Sequence, residues 1–112
     1  MALRARFGTL PSAVGGALEA ACRHDLSEFL SCFTRDASVD VWGCSHTTCA
    51  SIEYWARDLL SDDQFGLTDF IYAQLGEIAA VHAQMTSRDY IGPVTFAFTL
   101  NGARIRALHI TT

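Results

Sequence analysis

The spacing of apolar residues changes for good near residue 65. Before that point they recur every three or four positions, apart from one short alternating stretch at residues 37–43. After it they alternate. The segments "FGLTDFIYAQL", "EIAAVHAQMTS", "VTFAFTL" and "ARIRALHITT" read as four strands. Asn101-Gly102 joins the last two as a two-residue hairpin, since both residues tolerate positive φ. Gly76 turns the first strand into the second, and "RDYIGP" is a longer connection or a bulge. A helical first half and a meandering second half make an α+β fold. Three helices pack on one face of a curved, mainly antiparallel sheet.

The first half divides into six pieces. Residues 1–10 read as a loose arm. "PSAVGGALEAACRH" reads as a helix with Ser12 as cap, and "DLSEFLSCF" as a second. Asp25 and Glu28 resemble a capping box, and Leu26, Phe29, Leu30 and Phe33 form one stripe. "ASVDVWG" alternates as a short strand, Val39 and Val41 on one face, Asp40 and Trp42 on the other. "CSHTTCA" is a polar loop or short edge strand. "SIEYWARDLLSDD" is a third helix with Ser51 as cap and Ile52, Trp55, Ala56, Leu59 and Leu60 on one side.

The 112 residues suit one domain, residues 1–112. Half are hydrophobic and 18% are charged, a high apolar share for this size. Such a surplus predicts a partner subunit or a cavity. All eight basic residues are scattered arginines and the net charge is −4, which argues against nucleic acid. No segment reaches the about 18 apolar residues of a membrane span. The start lacks a signal-type apolar core, so a cytoplasmic protein is expected. Cys22 and Cys32 read as small core residues.

Several residues are candidates for a ligand pocket. Trp42, Tyr54 and Trp55 either line a pocket for a flat apolar molecule or pack in the core. Phe29 and Phe33, from the apolar stripe, are candidate lining. Tyr72 and His82 face either the inside of the fold or the outer sheet surface. Cys44, His46 and Cys49 offer three metal ligands and no fourth, so no metal is expected. That segment reads as a loop at a pocket mouth from which His46 reaches the ligand. His24 is expected to contact backbone at the helix junction, and His109 to point outward.

The stretch "HDLSEFLSCFTRDASVDVWG", then "SIEYW", then "PVTFAFTLNGARIRALHI" resembles the nuclear transport factor 2-like superfamily, in its SnoaL-like branch with the ketosteroid isomerase relatives. The resemblance spans roughly residues 13–111. It implies a cone-shaped domain with an apolar pocket between helices and sheet, a homodimer through the outer sheet face, and no cofactor. The ligand implied is a small apolar or aromatic molecule. In the isomerases an Asp three positions before a Gly moves the proton; Asp40 stands so before Gly43 and is similar to that general acid/base. The positions of the two oxyanion donors fall on Ala17 and near Val94 or Thr95, and Ala and Val carry no donor. The implied function is a small-molecule-binding domain, with isomerase, cyclase or hydratase chemistry on Asp40. The alternative is a non-catalytic binding or dimeric assembly module.

Overall fold

A computed structural model describes residues 10–112. Three helices, α1 (Ser12–Cys22), α2 (Leu26–Ser31) and α3 (Cys49–Leu60), cover one face of a six-stranded sheet. The strands are β1 (Phe33–Val41), β2 (Cys44–His46), β3 (Gly66–Leu75), β4 (Ile78–Thr86), β5 (Ile91–Asn101) and β6 (Arg104–Thr111), ordered β2-β1-β6-β5-β4-β3. Every neighbouring pair is antiparallel except β1 with β6, which runs parallel. The expected meander is therefore present, and β1 adds itself to its last strand. The sheet is curved and does not close. Register shifts on the β1–β6, β3–β4 and β5–β6 ladders bend it around the helices.

Pairing aligns residues into rows that cross the whole sheet. One row runs Gln74, Ala79, Phe98, Leu108, Val39 and His46; its next neighbour runs Tyr72, Val81, Phe96, Ile110, Val41 and Cys44. These rows face the helices. Val39, Val81, Phe98 and Ala79 are at most 1% exposed there, against Val14, Ala17 and Ala56 at 0%. The row between them, Ala73, Ala80, Ala97, His109, Asp40 and Ser45, faces away from the helices. Burying a Val, Leu or Phe side chain stabilises by about 1.5–3 kcal/mol, so this alternation decides which face is core.

Three helix boundaries differ from expectation. Pro11, not Ser12, caps α1, and it does so without a side-chain bond. Thr48 caps α3 by accepting from the Ser51 N–H, so Ser51 lies inside the helix. Asp25 caps α2 through the Glu28 N–H as expected, but the helix stops at Ser31. Phe33 opens β1 instead, because the Ile105 N–H takes the Cys32 carbonyl and draws the chain into the sheet. The expected arm lies outside the described residues except for Leu10, which is buried. No described helix is long and apolar enough to cross a membrane. Burial pushes the Cys22 and Cys32 thiols upward, consistent with their packing role.

Two polar side chains tie the elements together. The His24 ring, at a positive-φ corner between α1 and α2, reaches the carbonyls of Leu60 (2.8 Å) and Phe65 (3.0 Å). It contacts backbone as expected, but across the fold. Asp62, 5% exposed, accepts the N–H of Arg88 (2.7 Å) and Gln64 (2.9 Å). The Arg88 bond, then the Gln64 bond, hold its carboxyl below the usual value. A lowered carboxyl stabilises the fold above about pH 4, and the contribution disappears as pH falls through the folded value. Asp62→Asn should therefore unfold at lower denaturant at about pH 7, and the gap to the parent chain should shrink by about pH 3. Urea midpoints of both chains at the two pH values check this.

Candidate functional site

The space between helices and sheet is the first place to look for a ligand. It is nearly full. A void of about 20 Å³ remains, lined by Leu18, Phe29, Trp55, Phe65, Phe96 and Phe98 among others. That is room for one water at most, and the lining is wholly apolar. Phe29 and Trp55 fill the hollow that the sequence predicts to be open: their rings lie 6.1 Å apart, with Phe33 5.2 Å from Phe29. Trp55 itself is half-buried. His46 stacks on it at 6.2 Å, and its Nδ1 lies 2.6 Å from Ser51 Oγ. Thus Phe29, Phe33, His46 and Trp55 do come together, as a plug. Phe33 also walls an outer groove of about 240 Å³ with Leu30, Ile52 and Cys49.

The remaining candidates are elsewhere. Asp40 faces away from the helices. Its carboxylate accepts the Gly43 N–H at 2.9 Å and the Ser45 hydroxyl at 3.4 Å, with His109 Nε2 4.0 Å away. It has no access to the interior void. The physical reason is the pleat: Val39 and Val41 gain from burial under the helices, whereas burying an unpaired carboxylate would be costly, so the alternation turns Asp40 to the open side. Trp42 does not share a strand face with Asp40. It occupies the β1–β2 turn at φ 50, followed by Gly43 at φ 85, and packs 5.5 Å from Tyr90. Positive φ at both positions suits a two-residue hairpin, but a bulky residue there is strained. Tyr54 is 75% exposed on α3. Tyr72 lies on the helix-facing side of β3, half-buried against the core. His82 lies on the opposite side, its Nδ1 2.8 Å from Thr95 Oγ1.

The open sheet face holds what sequence reasoning did not assemble. A groove of about 500 Å³ crosses it, lined by Ser38, Asp40, Ser45, Thr99 and His109 over a floor that includes Ala97 and Ala107. His109 stands beside Asp40 because β1 and β6 pair in parallel, a contact between residues 69 positions apart that no local pattern signals. Phe65, Phe96 and Phe98, which the sequence reading places only within strand segments, also wall the interior void. Among the described residues no group of three His, Cys, Asp or Glu is arranged to hold a metal.

No protein-family model matches the chain. No curated protein matches it either. Solved structures do. A candidate polyketide cyclase from Sinorhizobium meliloti is 23% identical, with a TM-score of 0.85 over 94% of this chain and 98% of that one. A nuclear transport factor 2-like protein of unknown function from Cytophaga hutchinsonii is 10% identical, with a TM-score of 0.75 over 88% and 85%. A hypothetical protein with a ketosteroid isomerase-like fold from Catenulispora acidiphila, solved with trimethylamine, is 15% identical, with a TM-score of 0.78 over 93% and 87%. With helices roofing one side of a curved sheet in this strand order, the chain has the nuclear transport factor 2-like fold.

Proposed function

We propose that this protein is a dimeric assembly module of the SnoaL-like kind, pairing two copies through the open sheet face. One observation carries the reading: among the described residues the interior holds only a small apolar void, while the opposite face is a broad surface of small side chains. Ala73, Ala80 and Ala97 lie in one row, with Ile71, Leu75 and Ile78 exposed at its flanks. Small residues let a second sheet approach to about 10 Å, the ordinary face-to-face spacing. A second copy is the fitting occupant because the face is self-complementary. It carries Asp40 together with His109 and, in the bulge between Ile105 and Ala107, the exposed Arg106. A two-fold axis passing between these residues would set the acid of one copy against the bases of the other.

A second reading keeps a ligand inside. The void is apolar, and Trp55 is one of its partly exposed walls, so rotation of that ring would widen it. The likeness to candidate polyketide cyclases favours a flat apolar molecule there. Asp40 would then serve no proton transfer in that space, since it lies on the other side of the sheet.

The two readings separate cleanly. Ala97→Arg places a charged chain in the centre of the open face. It should weaken dimerisation by at least about thirtyfold, with helix content unchanged, in sedimentation velocity. A parent chain that sediments as a monomer would reject the assembly reading. For the interior, Trp55→Ala should raise the affinity for indole or naphthalene in a thermal-shift titration; no shift in either chain rejects the ligand. Phe98→Ala, which enlarges the void from a residue 1% exposed, should cost about 3–5 kcal/mol of stability in urea unfolding.

A further inference from the structure

Two neighbouring rows of the open face carry opposite size patterns. In the first row Asp40 and His109 are large, and Ala97, Ala80 and Ala73 are small. The second row lies two residues along each strand, and there the order reverses. Ser38 and Ala107 are small, and Thr99, Ile78 and Leu75 are larger. Each of β1, β6, β5, β4 and β3 therefore sets one larger side chain beside one smaller one. The groove of about 500 Å³ is the low ground of this relief, with Ala97 and Ala107 in its floor and Asp40, His109, Thr99 and Ile78 around it.

We infer that the two copies meet about a two-fold axis that runs across the strands, between these two rows. The inference rests on the assembly reading above and adds its orientation and register. Each strand then lies over its own counterpart, running the opposite way, and every first-row residue faces the second-row residue of the same strand. Ile78 rests on the other copy's Ala80, Leu75 on its Ala73 and Thr99 on its Ala97. His109 rests on Ala107, so Thr99 and His109 of each copy fill the groove floor of the other. Interdigitation of this kind is how stacked sheets fill the space between them.

Size alone also allows an axis along the strands, between β5 and β6, which sets Ala97 against His109 and Ala80 against Asp40. Chemistry separates the two. The axis along the strands covers the Asp40 carboxylate with a methyl group and lays Ile78 over Ser38, leaving polar groups against apolar ones. The axis across the strands keeps apolar on apolar at β3 and β4. At β1 it leaves Asp40 the Gly43 N–H, the Ser45 hydroxyl and His109 at 4.0 Å, and it adds the Ser38 hydroxyl of the other copy as a donor. The exposed charges just before the second row are Arg35 and Asp36 on β1 and Arg104 and Arg106 on β6. Bases outnumber the acid among them, and this axis carries them to the side of the other copy on which Asp40 lies.

The test exchanges the two sizes on one strand and follows the full chain by sedimentation velocity, with helix content recorded for every variant. Ala80→Ile alone sets isoleucine against isoleucine at both symmetry-related contacts. It should raise the dimer dissociation constant at least about tenfold. Adding Ile78→Ala exchanges large and small in both copies and should return the constant to within about threefold of the parent chain. Both positions lie on the open face, so neither substitution enters the core. Ala97→Val, then Ala97→Val with Thr99→Ala, repeats the exchange on β5 should the β4 variants disturb the strand. A dimeric parent with double variants as weak as the single ones places the axis elsewhere and overturns the inference alone. So does a dimer that Ala80→Ile and Ala97→Val leave untouched. A parent chain that sediments as a monomer removes the assembly reading and the inference with it.

Discussion

Every side chain on β1 is committed to a face by two register pairs, Val39 with Leu108 and Asp40 with His109. The strand period is two, so slipping either pair by one residue would exchange the faces along the whole strand. Burial of Val39, Leu108 and Phe98 under the helices leaves no such freedom. The acid and its neighbouring imidazole are therefore held on the open side by the packing of apolar groups on the closed side. What chemistry this domain can offer, and where, follows from that commitment.

On the closed side the aromatic residues do the filling. Phe29, Trp55, Phe65, Phe96 and Phe98 meet where this fold can leave a hollow. Interiors pack like organic crystals, and each added ring removes space that a ligand would occupy. Around this filling, His24 joins the α1–α2 corner to the end of α3 and the start of β3, and Asp62 joins the end of α3 to the β4–β5 loop. The helical roof is thus fastened at its edges as well as by its apolar underside.

The meander was legible because its signals are local: alternation in each strand, and Asn101-Gly102 between β5 and β6. The start of β1 was not. Phe29 and Phe33 stand four apart, the spacing of a helical stripe, and both are buried. What ends α2 is a bond from Ile105, over seventy residues later, which no window of sequence contains. The alternation of Val39, Asp40 and Val41 was read correctly, but the family resemblance turned Asp40 inward; the relative cost of burying a valine or a carboxylate points outward, and the fold follows the cost. Trp42 escaped for another reason. The strand ends one residue earlier, and Gly43 makes the turn in which Trp42 is caught. For His82, alternation defined a face without saying which face was wet.

The parallel pairing of β1 with β6 also orders events in time. The N-terminal strand finds its partner only in residues 104–111, so during synthesis the ribosome must deliver almost all of the described chain before β1 can enter the sheet. Until then the early helices have no floor to rest on, and their apolar undersides wait in water. Closing so long a loop adds little to the equilibrium cost but slows the search. A nascent chain of this kind is most exposed to chaperones, and to its own neighbours on a polysome, in the interval just before its last strand emerges.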